Sequence, residues 1–406
     1  MRLRGVGSNG NFKGKWQSPD RPAPTITTAP SPRDGGGAGC ILYDLTEETG
    51  TTPMPPTINK PPYGVPSMRE IAGITWNGLQ VVSIFSGGGG SCLGYRMAGY
   101  KIRWANEFAP AAQETYRANA AGDCLLDTRD IHHICPEDIL RGTGLTPGEL
   151  DVFDGSPPCQ AFSTAGQRHK GWGKETVYAH GARQKNETLF TEYLRILHGL
   201  KPKAFVAENV SGLVKGMAKG YFKEIFQEMK GCGYRVQAKL LDAQWLGVPQ
   251  HRERIIFIGV REDLGRDPIF PTPLPYRYSV REALPSLNEV IHDTGGVVRG
   301  KQIINQPYPR ITNGGNVLKS SHYLAPEADM EGRADRLGRR AFTIAELKRI
   351  CSFPDDFILK GSYAQQWACL GNSVPPVMMA HIARTIARHI FATESPEALD
   401  LGPAND

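Results

Sequence analysis

A thiol follows two prolines in Asp151-Val152-Phe153-Asp154-Gly155-Ser156-Pro157-Pro158-Cys159-Gln160-Ala161-Phe162-Ser163. A thiolate is a strong nucleophile, and prolines that fix φ hold it in one direction. Most free cysteines are small buried hydrophobes, but the paired prolines tip Cys159 towards a positioned attacking group. Further on, Glu208-Asn209-Val210 closes an apolar run and offers a carboxylate for proton work. Gln250-His251-Arg252-Glu253-Arg254 adds two guanidiniums two residues apart, on one face if the segment is extended. A turn with almost no side chains, Ser86-Gly87-Gly88-Gly89-Gly90-Ser91, lets a ligand approach the backbone.

These groups need a scaffold that brings them to one edge. From Gln80 onward, apolar strands alternate with amphipathic helices, which is the signature of an α/β fold with a doubly wound, mostly parallel sheet. Strands are expected at 81–85, 101–105 and 203–207, with a third strand ending at Asp127 and Asp130 and another leading into Cys159. An antiparallel pair is expected at 234–241 and 254–260. Helices are expected at 110–119, 186–200, 221–230 and 343–350, the last opened by a Thr343-x-x-Glu346 capping box, and one more carries Ile382, Ile386 and Ile390. Parallel strands share their carboxyl ends, so Cys159 and Glu208 belong to the edge where such sheets bind ligands. Glu107 lies 20 positions beyond Gly87, the place of a ribose-binding carboxylate in Rossmann-type folds.

With 406 residues, 40% of them hydrophobic, the chain can bury a large core. A net charge of +6 permits an anionic partner without demanding one. Eight scattered cysteines do not form a secreted disulfide framework, there is no apolar signal segment, and no apolar run is long enough to cross a bilayer, so a cytoplasmic protein is expected. Cys124, His132, His133 and Cys135 lack the spacing of structural zinc, and no metal is expected. Residues 1–75, rich in Gly and Pro, read as a loosely ordered extension, followed by a catalytic domain at 76–260. A small second domain at 261–338, a return to the catalytic domain at 339–394 and a flexible tail at 395–406 complete the division. Pro22-Ala23-Pro24-Thr25-Ile26-Thr27 echoes Pro307-Tyr308-Pro309-Arg310-Ile311-Thr312, by chance or as a displaced fragment.

In this order and spacing the motifs resemble those of the DNA (cytosine-5)-methyltransferase family, over residues 80–392. The resemblance rests on Phe85-x-Gly87-x-Gly89-Gly90, Asn106-Glu107, Asp130-Ile131, Pro158-Cys159-Gln160, Glu208-Asn209-Val210, Gln250-x-Arg252-x-Arg254 and Gly371-Asn372-Ser373. It implies a Rossmann-like S-adenosylmethionine-dependent fold with a small target-recognition domain, acting as a monomer on duplex DNA, in some members alongside a restriction enzyme. Cys159, Glu208, Arg252 and Arg254 would then be catalytic: the thiolate adds to carbon 6 of a flipped cytosine, Glu208 holds its amino edge and ring nitrogen, and Arg254 bonds its carbonyl. Arg252 would lower the thiol pKa or bind phosphate.

By the same resemblance, Phe85, Gly87, Gly88, Gly90, Glu107, Asp130, Ile131, Pro158, Leu189, Asn372 and Ser373 would hold S-adenosylmethionine. Gln160, Ser163 and Asn209 would contact DNA, with the loop 164–185 as a clamp. The chain departs from the pattern in its short 261–338 segment, in Arg340-Ala341-Phe342-Thr343 and in its N-terminal extension. A nicotinamide-dependent dehydrogenase would leave Cys159, Glu208 and the arginines unused. A silent DNA-binding relative would have no reason to keep Cys159, Glu208 and Arg254 together, whereas an RNA-directed member acting on tRNA cytosine would use the same catalytic set.

Overall fold

The computed structural model describes residues 60–158, 176–177, 183–184, 189–214, 219–287, 290–292, 301–302, 304–309, 311, 322–324 and 340–392. Helix α1 (Met68–Ala72) precedes β1 (Gln80–Ile84), α2 (Gly90–Met97), β2 (Lys101–Asn106), α3 (Pro110–Asn119), β3 (Leu125–Asp127), α4 (Pro136–Thr143) and β4 (Val152–Gly155). A small ribbon of β5 (Thr176–Val177) and β6 (Arg183–Gln184) follows. Next come α5 (Leu189–Leu200), β7 (Ala204–Val210), α6 (Lys219–Gly231), β8 (Tyr234–Asp242), β9 (Glu253–Arg261) and α7 (Val280–Ala283). Four short strands, β10 (Val290–His292), β11 (Lys301–Gln302), β12 (His322–Leu324) and β13 (Arg340–Ala341), lead to α8 (Ile344–Ile350), α9 (Tyr363–Asn372) and α10 (Pro376–His389).

The main sheet has the order β3-β2-β1-β4-β7-β9-β8. Its strands are parallel except that β9 runs against both of its neighbours, so the expected antiparallel pair is present within a doubly wound sheet. Successive residues of β1 serve opposite faces: Val81 joins the apolar cluster that contains α2 and α10, whereas Val82 and Ile84 join the cluster containing Phe153, Phe205, Phe257 and α5. With both faces covered, the strands read as nearly continuous apolar runs.

The ordered body begins earlier than residue 76. α1 carries a Ser67–Glu70 capping box and buries Ile71. Upstream of it, Tyr63 Oη donates to the carbonyl of Arg349 (2.6 Å), and Lys60 donates to the carbonyl of Arg277 (2.8 Å) while sitting over the Tyr278 ring. Residues 60–75 are thus corrected from loose extension to docked strap: beside these two contacts, Ile71 is buried in the main apolar cluster and Val65, Met68 and Ile74 pack against it. Residues 1–59, with the Pro-x-Pro-x-Ile-Thr echo, lie outside the described residues.

The segment 261–338 is also tied to the main body, since Val280, Leu284, Ile304 and Tyr308 belong to the same cluster as α2 and α10. From β10 onward, a separate antiparallel sheet of order β11-β10-β12-β13 forms. Helix α9 was not foreseen; a Ser362–Gln365 capping box starts it.

Candidate active site

The end of β1 turns sharply into α2. Phe85 has φ +54° and Gly87 φ +56°, and at Gly87 the missing Cβ makes the left-handed backbone cheap. The Gly87 N–H donates to Glu107 Oε2 (2.8 Å), and the Ala109 N–H donates to Glu107 Oε1 (2.7 Å). Burial pushes the Glu107 carboxyl up despite these bonds. The other side of the turn is locked against the start of α10: a Cβ at Gly90 would lie 2.5 Å from the Val374 carbonyl oxygen. The proposed cofactor residues Gly90 and Ser373 are therefore neighbours, although 283 positions apart in sequence.

Other residues expected around a cofactor divide into two groups. Asp130 caps a short helical turn, accepting from the His132 N–H (3.1 Å), with His132 Nδ1 2.6 Å away. Ser373 Oγ donates to the Cys369 carbonyl (2.6 Å), while Asn372 is exposed at the end of α9. Ile131 and Leu189 are 1% and 0% exposed in the apolar cluster beneath the sheet. Those two side chains are core, because the helix faces that carry them pack inward, and their part is support.

Cys159, Gln160 and Ser163 lie outside the described residues, as does the loop 164–185 apart from β5 and β6. Gly155 at the end of β4 pairs with Ile84 of β1 and Ala207 of β7. Pro157 is buried, and its carbonyl accepts from Asn209 Nδ2 (3.1 Å), while Asn209 Oδ1 takes the Val210 N–H (2.8 Å). Asn209, 3% exposed, is thereby reassigned from a DNA contact to a brace of the proline turn.

One residue before Asn209, Glu208 meets Arg254 across the β7–β9 ladder, with Nε to Oε1 at 2.6 Å and side-chain exposures of 9% and 7%. Such a pair places a carboxylate and a guanidinium together at the carboxyl edge, ready for a planar polar ligand. Arg252 does not share this place. It precedes the start of β9, is 1% exposed, and its guanidinium donates to the carbonyls of Gly371 (2.8 Å), Ser373 (2.7 Å) and Ile311 (3.2 Å). Arg252 clamps the turn between α9 and α10, and the thiol that it was expected to influence, Cys159, lies outside the described residues.

Sequence reasoning missed Asp154, a buried carboxylate inside β4 that binds Ser83 and Ser91. Its signal was an acid within an apolar strand run. Among the described residues no three His, Cys, Asp or Glu side chains are placed to hold a metal, and no helix is long and apolar enough to cross a membrane.

Comparison with known proteins bears on this edge. The model of the C-5 cytosine-specific DNA methylase family matches residues 79–316 and 301–388. The type II methyltransferase M.NgoFVII of Neisseria gonorrhoeae is 31% identical over 344 residues, covering 76% of this chain and 87% of its own length. M.NgoPII of the same organism is 28% identical over 359 residues, covering 79% and 99%. Among solved structures, a DNMT2 variant from Spodoptera frugiperda has a TM-score of 0.55 at 18% identity, covering 77% of this chain and 99% of its own, and shares the fold. Dnmt2 of S. pombe is similar, with a TM-score of 0.53 at 18% identity, covering 76% and 98%.

Proposed function

Because this chain belongs to the C-5 cytosine-specific DNA methylase family, we propose that it methylates carbon 5 of cytosine in duplex DNA through a covalent adduct on Cys159. The buried Glu208–Arg254 pair at the carboxyl edge carries the reading, because it matches the polar edge of cytosine: an amino group and ring nitrogen for Glu208, a carbonyl oxygen for Arg254. S-adenosylmethionine, when bound, supplies an electrophilic methyl group. The residues present fit it: Glu107 offers an acceptor beside the glycine turn, Asp130 caps the turn that follows β3, and Ser373, at the end of α9, meets the glycine turn at Gly90.

Carbon 5 of cytosine is a weak nucleophile, and the base must leave the duplex to be reached. The Cys159 thiolate adds to carbon 6, making carbon 5 electron-rich. Glu208 holds the amino edge and shares a proton with the ring nitrogen as the thiolate attacks, and Arg254 stabilises charge at the carbonyl oxygen. After methylation, water takes the carbon 5 proton as the carbon 6–sulfur bond breaks, which expels the thiolate and restores the ring. Asn209, by holding the Pro157 carbonyl, aims the turn from which Cys159 acts. The type II names of its relatives support a modification role at a specific DNA site.

The test uses labelled S-adenosylmethionine with duplex DNA and tRNA offered in parallel. Wild type is expected to label DNA at carbon 5 of cytosine, and Cys159→Ser to label neither. DNA carrying 5-fluorocytosine, which has no carbon 5 proton to lose, is expected to trap wild type as a denaturation-resistant adduct. Full activity of Cys159→Ser sinks the covalent mechanism, and label confined to tRNA sinks the DNA reading.

A further inference from the structure

The carboxylate of Asp154 has no part in the chemistry above, yet it is 2% exposed and the flanks of the glycine turn converge on it. Ser83 Oγ on β1 and Ser91 Oγ in the first turn of α2 both donate to the same oxygen, Oδ2, at 2.8 Å. Ser86, immediately before the glycines, directs its hydroxyl to the Ser83 carbonyl (3.1 Å) and Ser83 Oγ (3.2 Å), extending the network. Asp154 is opposite Ser83 in the β1–β4 ladder and opposite Val206 in the β4–β7 ladder. Its own strand continues through Gly155 into Pro157-Pro158-Cys159.

We propose that Asp154 is a positioning residue for the methyl donor, gripping Ser83 and Ser91 so that the glycine turn is fixed against the strand that carries the nucleophile. The inference rests on the reading that this turn holds S-adenosylmethionine. A buried carboxylate that accepts two hydroxyl bonds on one oxygen is a rigid joint, and it ties donor and nucleophile to one point.

The joint responds to pH. Burial pushes the Asp154 carboxyl up to about 6, and the charge of Glu208 on β7 adds to this, against the hydroxyls of Ser91, Ser83 and Tyr95. The other titratable groups facing it are Cys92 and Tyr95 of α2 and Tyr193 of α5, all pushed up by burial, Cys92 to about 12. Glu208 itself faces Arg254. Protonation of Asp154 removes the charge that strengthens both hydroxyl bonds to Oδ2, so the joint weakens and the turn loosens below about pH 6. The same rise in pKa makes the ionised group a cost to the fold: the stability it contributes is full below the unfolded value near 3.8 and is lost as pH rises through about 6.

The experiment measures S-adenosylmethionine binding to the full chain by calorimetry, without DNA, between about pH 5.5 and about pH 8, together with melting of the free protein. Wild type is expected to bind about fourfold more weakly at the acid end, as titration through about pH 6 requires. Asp154→Asn is expected to bind about tenfold more weakly at neutral pH with a flat profile, and to gain stability relative to wild type as pH rises. Ser91→Ala keeps the carboxylate but removes a bond to its charged form, so its profile is expected to shift to higher pH. Binding by wild type with the same profile in Asp154→Asn overturns this inference alone. Absence of binding by wild type overturns the cofactor reading, and this inference with it.

Discussion

Asp154 and Glu107, on the β1–β4 side of the sheet edge, are buried carboxylates held by neutral donors: serine hydroxyls for one, backbone N–H groups for the other. On the β7–β9 side, Glu208 is held by a cation, Arg254. Burial raises the pKa of both carboxyls in the first region, because dipoles only partly replace water around a charge. In the second region attraction between opposite charges does that work, and each partner depends on the other. The first arrangement suits a joint that holds a ligand turn, and the second suits a site that must keep charge poised against a reacting base.

The sharpest way to break this contrast is Arg254→Ala. It strands Glu208 in a buried position, and a loss of about 3–5 kcal/mol in stability is expected. Methyl transfer is expected to fall about 10²–10³-fold in kcat. Adding Glu208→Gln to Arg254→Ala removes the orphaned charge, so denaturant unfolding of the double variant is expected to recover much of the lost stability without recovering activity. A double variant as unstable as the single would mean that the pair is not the charge-coupled unit described.

Residue types and order were enough to point to both regions, because a glycine turn, an acid beyond the next strand and an acid closing an apolar run are dictated by the chemistry. The sheet was equally legible, since strands buried on two faces must be apolar throughout. What stayed hidden depended on three-dimensional neighbours. Arg252 and Arg254 were expected on one face at i, i+2, but β9 starts only at Glu253, and Arg252 turns to the carbonyls of Gly371 and Ser373. Asp154 was passed over within its strand, because its partners Ser83 and Ser91 are distant in sequence. The docking of residues 60–75 was masked by composition, because the apolar residues that pack on the core, Val65, Met68, Ile71 and Ile74, are interspersed with proline, glycine and charge.

Arg252 sharpens the comparison, being a buried cation held by neutral acceptors. Arg252→Met removes the bonds to these carbonyls, and a cost of about 1–3 kcal/mol is expected. Because the clamped turn carries Asn372 and Ser373, KM for S-adenosylmethionine is expected to rise severalfold with kcat within about twofold of wild type. A large fall in kcat instead would place Arg252 with Arg254 on the substrate.

The smallest stability change is expected at Glu107→Gln. Its carboxyl is raised by burial, so the charge it carries at neutral pH is a cost to the fold; that stability is full below the unfolded value near 4.5 and declines as pH rises through the higher folded value. Glutamine removes the cost but turns an amide N–H towards one of the backbone donors at Gly87 and Ala109, leaving that donor unmatched. The two effects oppose each other, and unfolding free energy is expected to stay within about 1 kcal/mol of wild type while S-adenosylmethionine binding weakens about tenfold. Because the neutral side chain does not titrate, the variant should gain on wild type as pH rises above the unfolded value. Destabilisation comparable to that of Arg254→Ala would show that the Glu107 charge is needed by the fold, and the distinction between dipole-held and cation-held carboxylates would not stand.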